Sequence, residues 1–215
     1  MFEDIKDLKN ELQNIIQGKV SSGNDQLVQA VKAHLETGTR TSGHTEEKQP
    51  VRAIEERALI NFAEANNLWV PADTFGEYVT EGAEQRVYFP VNADYVVKVA
   101  DAIFYATWID YFNNLLIHNF LFPDTAYTLI GFYLNDEKFY AVLKQLFIKS
   151  TQPTDLSAVR EFMLSNGFLH KRNNDYFHPF LGIIIEDLHD ENVLTNSGVL
   201  FFVDTVFYIT DAFYL

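Results

Sequence analysis

The chain has 215 residues, 47% hydrophobic and 15% aromatic, which is enough to fold around a buried core as one domain of two lobes or one domain with an appendage. Its 30 acidic and 16 basic residues leave a formal charge of -14, which repels nucleic-acid backbones and anionic membrane surfaces but permits a local basic pocket. There is no cysteine, so disulfides, thiolate zinc sites and cysteine nucleophiles are excluded.

The first residues, Met1-Phe2-Glu3-Asp4-Ile5-Lys6, are acidic and lack the apolar run of a secretory signal. Asp, Asn or His interrupts the longest apolar stretches before bilayer length. The expectation is a soluble, cytoplasmic protein with no membrane or nucleic-acid partner.

Phe2, Ile5, Leu8, Leu12, Ile15 and Ile16 recur at helical spacing and predict a helix over residues 2 to 16, stopped by Gly18. The polar run 37 to 48 reads as a mobile linker, with a helical piece around 27 to 35 before it. Ile54, Ala58, Leu59, Phe62 and Ala63 predict a second helix over 52 to 66. Beyond Pro71, the runs 76 to 79, 86 to 89 and 95 to 99 are β-branched or aromatic, and turn residues separate them; they predict three antiparallel strands. Residues 102 to 120 predict a long buried helix, with Phe104, Trp108 and Phe112 as core packing. Residues 127 to 134 and 138 to 148 predict a hairpin turned at Asn135-Asp136-Glu137. A last helix is expected over 155 to 166, capped by Asp155 and stopped by Gly167. Two short hydrophobic runs, 181 to 185 and 199 to 203, then flank a polar loop.

That loop, Asp187-Leu188-His189-Asp190-Glu191-Asn192, is the stretch richest in potential chemistry, and by itself it reads equally well as a solvated acidic turn. The turn at Asn196-Ser197-Gly198 predicts a hairpin that returns Asp204 beside Asp187 and Asn192, placing three hard oxygen donors where a magnesium ion could sit. A lysine in a strand is ordinarily exposed, but Lys98 lies between Val97 and Val99. Gly82 by itself reads first as a turn glycine, and His189 is expected to shape the loop by bonding its backbone. A reading of Asp187, His189, Asp190 and Asp204 as a metal hydrolase cluster competes with these.

Three strands, a helix and two strands, then a loop of Asp, four residues and Asn, then a strand ending in Asp, resembles the layout of the protein kinase and aminoglycoside phosphotransferase superfamily. Gly82-Ala83-Glu84 before Val87-Tyr88, Trp108, His118-Asn119, Leu121-Phe122-Pro123, Gly131-Phe132 and Asp187 to Leu194 resemble more narrowly the kinase domain of polyvalent proteins of bacterial mobile elements. The resemblance implies an α+β, kinase-like two-lobed fold. Residues 1 to 70 are N-terminal helices with a linker, 71 to 148 a five-stranded antiparallel N-lobe, and 149 to 215 a reduced, mainly helical C-lobe.

The resemblance also implies ATP and Mg2+ as cofactors and a phosphotransferase activity toward a protein or small-molecule hydroxyl. Asp187 would be the catalytic base and Lys98 the phosphate anchor; Gly82 would lie over the phosphates; Gln145 and Phe147 would flank the purine; Asn192 and Asp204 would bind metal. The departures are as informative. The helix over 102 to 120 has no Glu to pair with Lys98, only Asp110, whose shorter arm makes that pairing doubtful, and Thr205-Val206 replaces the Phe-Gly that follows the strand-end aspartate. Eleven residues follow Asp204, which points to a minimal acceptor platform or one supplied by a partner. An inactive nucleotide- or partner-binding module is the alternative.

Overall fold

The computed structural model describes residues 2–21, 23–41 and 51–215. Its contacts divide the chain into two compact units: Ser21–Leu115 with Tyr127–Phe147, and Met1–Val20 with Leu116–Ala126 and Ile148–Leu215. Among the described residues, no helix is long and apolar enough to cross a membrane.

The first unit is built on a five-stranded antiparallel sheet in the order β1-β2-β3-β5-β4, made of β1 (Glu77–Glu81), β2 (Gln85–Phe89), β3 (Tyr95–Ala100), β4 (Thr128–Asn135) and β5 (Lys138–Leu146). The alternation predicted from sequence is realised in β3: Val97 and Val99 pack with Phe75, Tyr140 and Val142 on one face, which places Lys98 on the other. The β4–β5 hairpin turns on Asp136 and Glu137 with φ of 47° and 66°, the left-handed pair that a two-residue turn needs.

Helices α2 (Gln26–Thr41) and α3 (Val51–Ala65) pack against each other and bury Val28, Val31, Leu35, Leu59 and Ala63. The expected linker from 37 to 48 therefore begins inside a helix, and its remainder lies outside the described residues. After α3 the chain runs beside β4, where Leu68 and Val70 exchange backbone bonds of 2.8 Å with Phe132. The approach is close enough that a Cβ on Gly131 would lie 2.2 Å from the Leu68 carbonyl oxygen, so only glycine fits there.

Helix α4 (Trp108–Leu121) starts later than the sequence reading placed it, because residues 101 to 107 form a loop. Trp108 and Phe112 are fully buried as expected, but Phe104 is 52% exposed in that loop and is not core. Helix α3 holds the loop and the helix start. The Arg52 guanidinium donates to the carbonyls of Asp101, Ala102 and Tyr105, Glu55 accepts the Trp108 backbone N–H at 2.7 Å, and Glu56 accepts the Trp108 indole N–H at 3.1 Å.

The second unit contains α1 (Phe2–Ile16), which buries Leu12, Ile15 and Ile16 and is followed by Gly18 at φ 68°, the stop its pattern predicts. Lys9 and Gln13 donate to the carbonyls of Ala212 and Phe213. Helix α5 (Leu156–Ser165) has the expected cap, with Asp155 accepting the Ser157 N–H at 2.8 Å. The rest corrects the expectation of a mainly helical lobe. β6 (Leu169–His170), β7 (Tyr176–His178), β8 (Ile183–Glu186) and β11 (Val206–Ile209) form a sheet in the order β11-β8-β7-β6, and β9 (Val193–Asn196) pairs with β10 (Val199–Phe202). The β-branched and aromatic runs are too short for helices and alternate instead, as Ile183 and Ile185 do in pointing to the core.

Burial pushes the Glu55 carboxyl above its ordinary value, against the opposing pull of the Trp108 and Ile109 N–H groups. A carboxyl raised in this way favours folding in its protonated form. Its contribution is full below about pH 4, where unfolded-chain carboxyls protonate, and is lost as the pH rises through the folded-state value. The Glu55→Gln variant keeps an acceptor for Trp108 and carries no charge. Wild type is therefore expected to lose melting temperature relative to this variant between about pH 4 and pH 7; a difference that stays flat over that range contradicts the assignment.

Candidate functional site

The loop that follows β8 is shaped by its own backbone. Asp187 sits at φ 66°, a left-handed conformation that a non-glycine residue keeps only when its surroundings enforce it. Three groups enforce it here. Asp175, on the turn between β6 and β7, accepts the Asp187 N–H at 3.3 Å; Asn174 accepts the Leu188 N–H at 3.3 Å; and the Leu188 side chain is wholly buried beneath the loop. His189 shapes the loop as expected: its Nδ1 accepts the Glu191 N–H at 3.2 Å, and its Nε2 lies 3.4 Å from an Asp187 carboxylate oxygen.

Asn192 gathers the rest. Its side-chain amide donates to the Asp187 carbonyl at 2.8 Å and to the Asp187 carboxylate at 3.1 Å. Its own carbonyl accepts the N–H groups of Val203 and Asp204, at 2.9 and 3.3 Å. The β9–β10 hairpin, turning at Asn196 to Gly198, is what returns the chain to make those last two bonds. The structure thus brings Asp187 and Asn192 into direct contact and fixes the backbone of Asp204 to the same residue.

The donor chemistry fits a hard cation. With the Asn192 N–H groups both turned to Asp187, its Oδ1 is the atom that could face a cation, and the side chains of Asp187 and Asp204 carry oxygens of the kind magnesium takes. Among the described residues, no group of three or more His, Cys, Asp or Glu side chains is gathered to hold a metal, which removes the basis of the hydrolase cluster of Asp187, His189, Asp190 and Asp204.

In the sheet unit, Lys98 is 5% exposed, and its Nζ lies 3.5 Å from the Tyr127 hydroxyl and 5.1 Å from the centre of that ring. Asp110 accepts from the Thr107 hydroxyl at 2.7 Å, and that hydroxyl accepts the Asp110 N–H at 3.0 Å, so Thr107 caps α4 with Asp110 as its exposed partner. Gly82 donates its N–H to Gln85 in a tight turn, beside a small cavity of about 90 Å³ that Glu84, Arg86, Asp101 and Lys138 also line. A Cβ on Gly82 would meet only the Gln85 carbonyl, at 3.9 Å, so the turn itself does not demand glycine. Gln145 is buried in β5. Phe147 is about half exposed, stacks edge-on against Phe89, and gives its N–H to the Asp94 carbonyl at 2.9 Å.

Sequence reasoning missed Asp175. Asp175 lies twelve residues before the atom it holds and belongs to a turn-rich run, Arg172-Asn173-Asn174-Asp175, that carries no signature apart from turn formation.

A five-stranded antiparallel sheet with a buried lysine in its third strand, a helix between the third and fourth, and an Asp-to-Asn loop tied to a strand-end Asp define a kinase-like protein. Residues 52–211 match the family model described as a serine/threonine/tyrosine kinase found in polyvalent proteins, and the chain belongs to that family. The match begins within α3, so α1 and α2 lie outside it. No curated protein matches the chain.

Replacing Asp175 by Ala removes the acceptor that holds Asp187 in its left-handed conformation. The expected result is a loss of about 1 kcal/mol of stability, with faster amide exchange at Asp187 and Leu188, while Asp175→Asn stays close to wild type. Unchanged exchange at those two amides contradicts the bracing role.

Proposed function

We propose that the protein transfers the γ-phosphoryl group of ATP, with magnesium, to a hydroxyl of a protein or small molecule. The observation that carries this reading is the joining of Asp187, Asn192 and Asp204 through one asparagine. Phosphoryl transfer asks for positioned oxygens and neutralised charge more than for covalent chemistry; these residues offer the positioned oxygens, and the cation they would hold offers the neutralising charge.

Asp187 orients the acceptor hydroxyl and takes its proton at a carboxylate oxygen, in a loop whose conformation Asp175 and Asn192 fix beforehand. Asn192 and Asp204 hold the magnesium ion, which when bound neutralises charge on the phosphate oxygens. Lys98 holds the α- and β-phosphates as a point charge, and the turn at Gly82 lies over the phosphates. Gln145 and Phe147 flank the purine; because the Phe147 N–H is already given to Asp94, the backbone contact to the base comes from another group of that segment. A cytoplasmic setting within a polyvalent protein of a bacterial mobile element belongs to the same proposal.

One observation favours the second reading, a nucleotide-binding module without turnover. Helix α4 carries no Glu, and its one acid, Asp110, takes the Thr107 hydroxyl at the helix start. Two measurements separate the readings. ATP with magnesium at about 100 times its dissociation constant is expected to stabilise the fold by roughly 2.7 kcal/mol in a thermal shift; no shift at any attainable concentration sinks both. Asp187→Ala is expected to lower γ-phosphate transfer by roughly 100-fold or more while leaving that shift nearly intact. ATP binding without transfer by wild type to any acceptor leaves only the binding module.

A further inference from the structure

Residues Phe202 to Thr205 are held one after another, and two of the holds come from a buried polar network that phosphoryl transfer itself does not require. His118 on α4 is wholly buried. Its Nε2 faces the Thr125 carbonyl at 2.9 Å, which accepts only, so that nitrogen carries the proton. Its Nδ1 is then the acceptor and receives the Thr205 hydroxyl at 2.7 Å. Thr125, 1% exposed, donates its own hydroxyl to the Phe202 carbonyl at 2.6 Å.

Between those anchors, the Asn192 carbonyl takes the N–H groups of Val203 and Asp204. The network therefore grips the chain immediately before and immediately after the paired N–H groups, so Asp204 is presented from a backbone held on both sides. Phe202 is itself stacked flat on Phe122 at 4.2 Å. Buried networks of this kind are costly when incomplete and rigid when every member is satisfied. Here each of the three donors meets an acceptor, at 2.6 to 2.9 Å along the chain from Phe202 through Thr125 and His118 to Thr205.

We propose that His118 and Thr205, together with Thr125, are positioning residues that set the Asp204 carboxylate for the metal. This rests on the reading of Asp204 as a magnesium ligand. A histidine buried only to fill space would need no hydroxyl partner on the residue that follows that aspartate. The position matters because Thr205 stands where the resemblance calls for a phenylalanine: the chain aims its aspartate through a hydrogen bond in place of an apolar side chain.

The test compares Thr205→Val, which keeps the shape and loses the hydroxyl, with Thr205→Ser, which keeps the hydroxyl. Mn2+ binding is read by electron paramagnetic resonance in the presence of a non-hydrolysable ATP analogue. Thr205→Val is expected to weaken Mn2+ by about tenfold, the usual cost of losing a group that orients a metal ligand, and Thr205→Ser to stay within about twofold of wild type. The affinity for the analogue without metal should not change in either.

A Thr205→Val protein that melts lower but binds Mn2+ as wild type does overturns the positioning role and leaves the proposed function standing. A wild type that binds the analogue but no Mn2+ with it removes the metal reading and this role together. If Thr205→Val does not fold, Thr125→Val releases the same segment from the other side and is read the same way. Imidazole nitrogen NMR of the wild type provides a check that needs no nucleotide: Nδ1 is expected unprotonated, and a protonated Nδ1 contradicts the network.

Discussion

The candidate centre depends on the two ends of Asn192. The side-chain amide binds Asp187 and the backbone carbonyl binds Val203 and Asp204, so one residue sets the spacing between the proposed base and the proposed metal ligand. That arrangement needs Asp187 in a left-handed conformation, and the conformation in turn needs Asp175 beneath it and Leu188 buried. It also needs the β9–β10 hairpin, whose register from Val199–Asn196 to Phe202–Val193 decides which residue arrives beside Asn192. A slip of one residue in that register would turn Asp204 to the other face.

The sheet unit shows a different dependence. Where α4 lacks the acid that resemblance to kinases calls for, α3 grips the same helix at its beginning, with Arg52 on three loop carbonyls and Glu55 on the first helical N–H. Glu55 is 1% exposed, and its second oxygen has no hydrogen-bond partner among the described residues. A carboxyl buried on those terms is costly, and it persists because it answers an N–H group that the helix cannot satisfy for itself. Helix α3 thus belongs to the same packing as the sheet and α4, in keeping with a family match that starts at residue 52.

Much of the layout was legible because strong periodicity survives folding. The helix over 2 to 16, the Asp155 cap, the order of three strands, helix and two strands, and the turn at Asp136 and Glu137 all follow from patterns that local physics enforces. What could not be read depended on distant partners. Phe104 looked like core because its neighbours are apolar, yet Arg52 holds that segment as a loop and leaves the ring out. The β9–β10 hairpin was legible from its turn, but the four-stranded sheet after α5 was not, because the resemblance suggested a helical lobe, although Ile183 to Ile185 and Val206 to Ile209 are β-branched or aromatic. Within the site, Asp187, Asn192 and Asp204 were visible as a motif. Asp175 and the His118–Thr205 pair were not, since each acts through a backbone or hydroxyl group that leaves no mark on spacing.

The proposed function requires Asn192 to assemble a magnesium-dependent phosphoryl-transfer centre. The most direct measurement follows γ-labelled ATP incubated with wild type and with Asn192→Ala, each with magnesium and with the metal chelated. Label is expected to leave ATP only with wild type and only when magnesium is present. Equal release by Asn192→Ala, or release by wild type that persists under chelation, would contradict it.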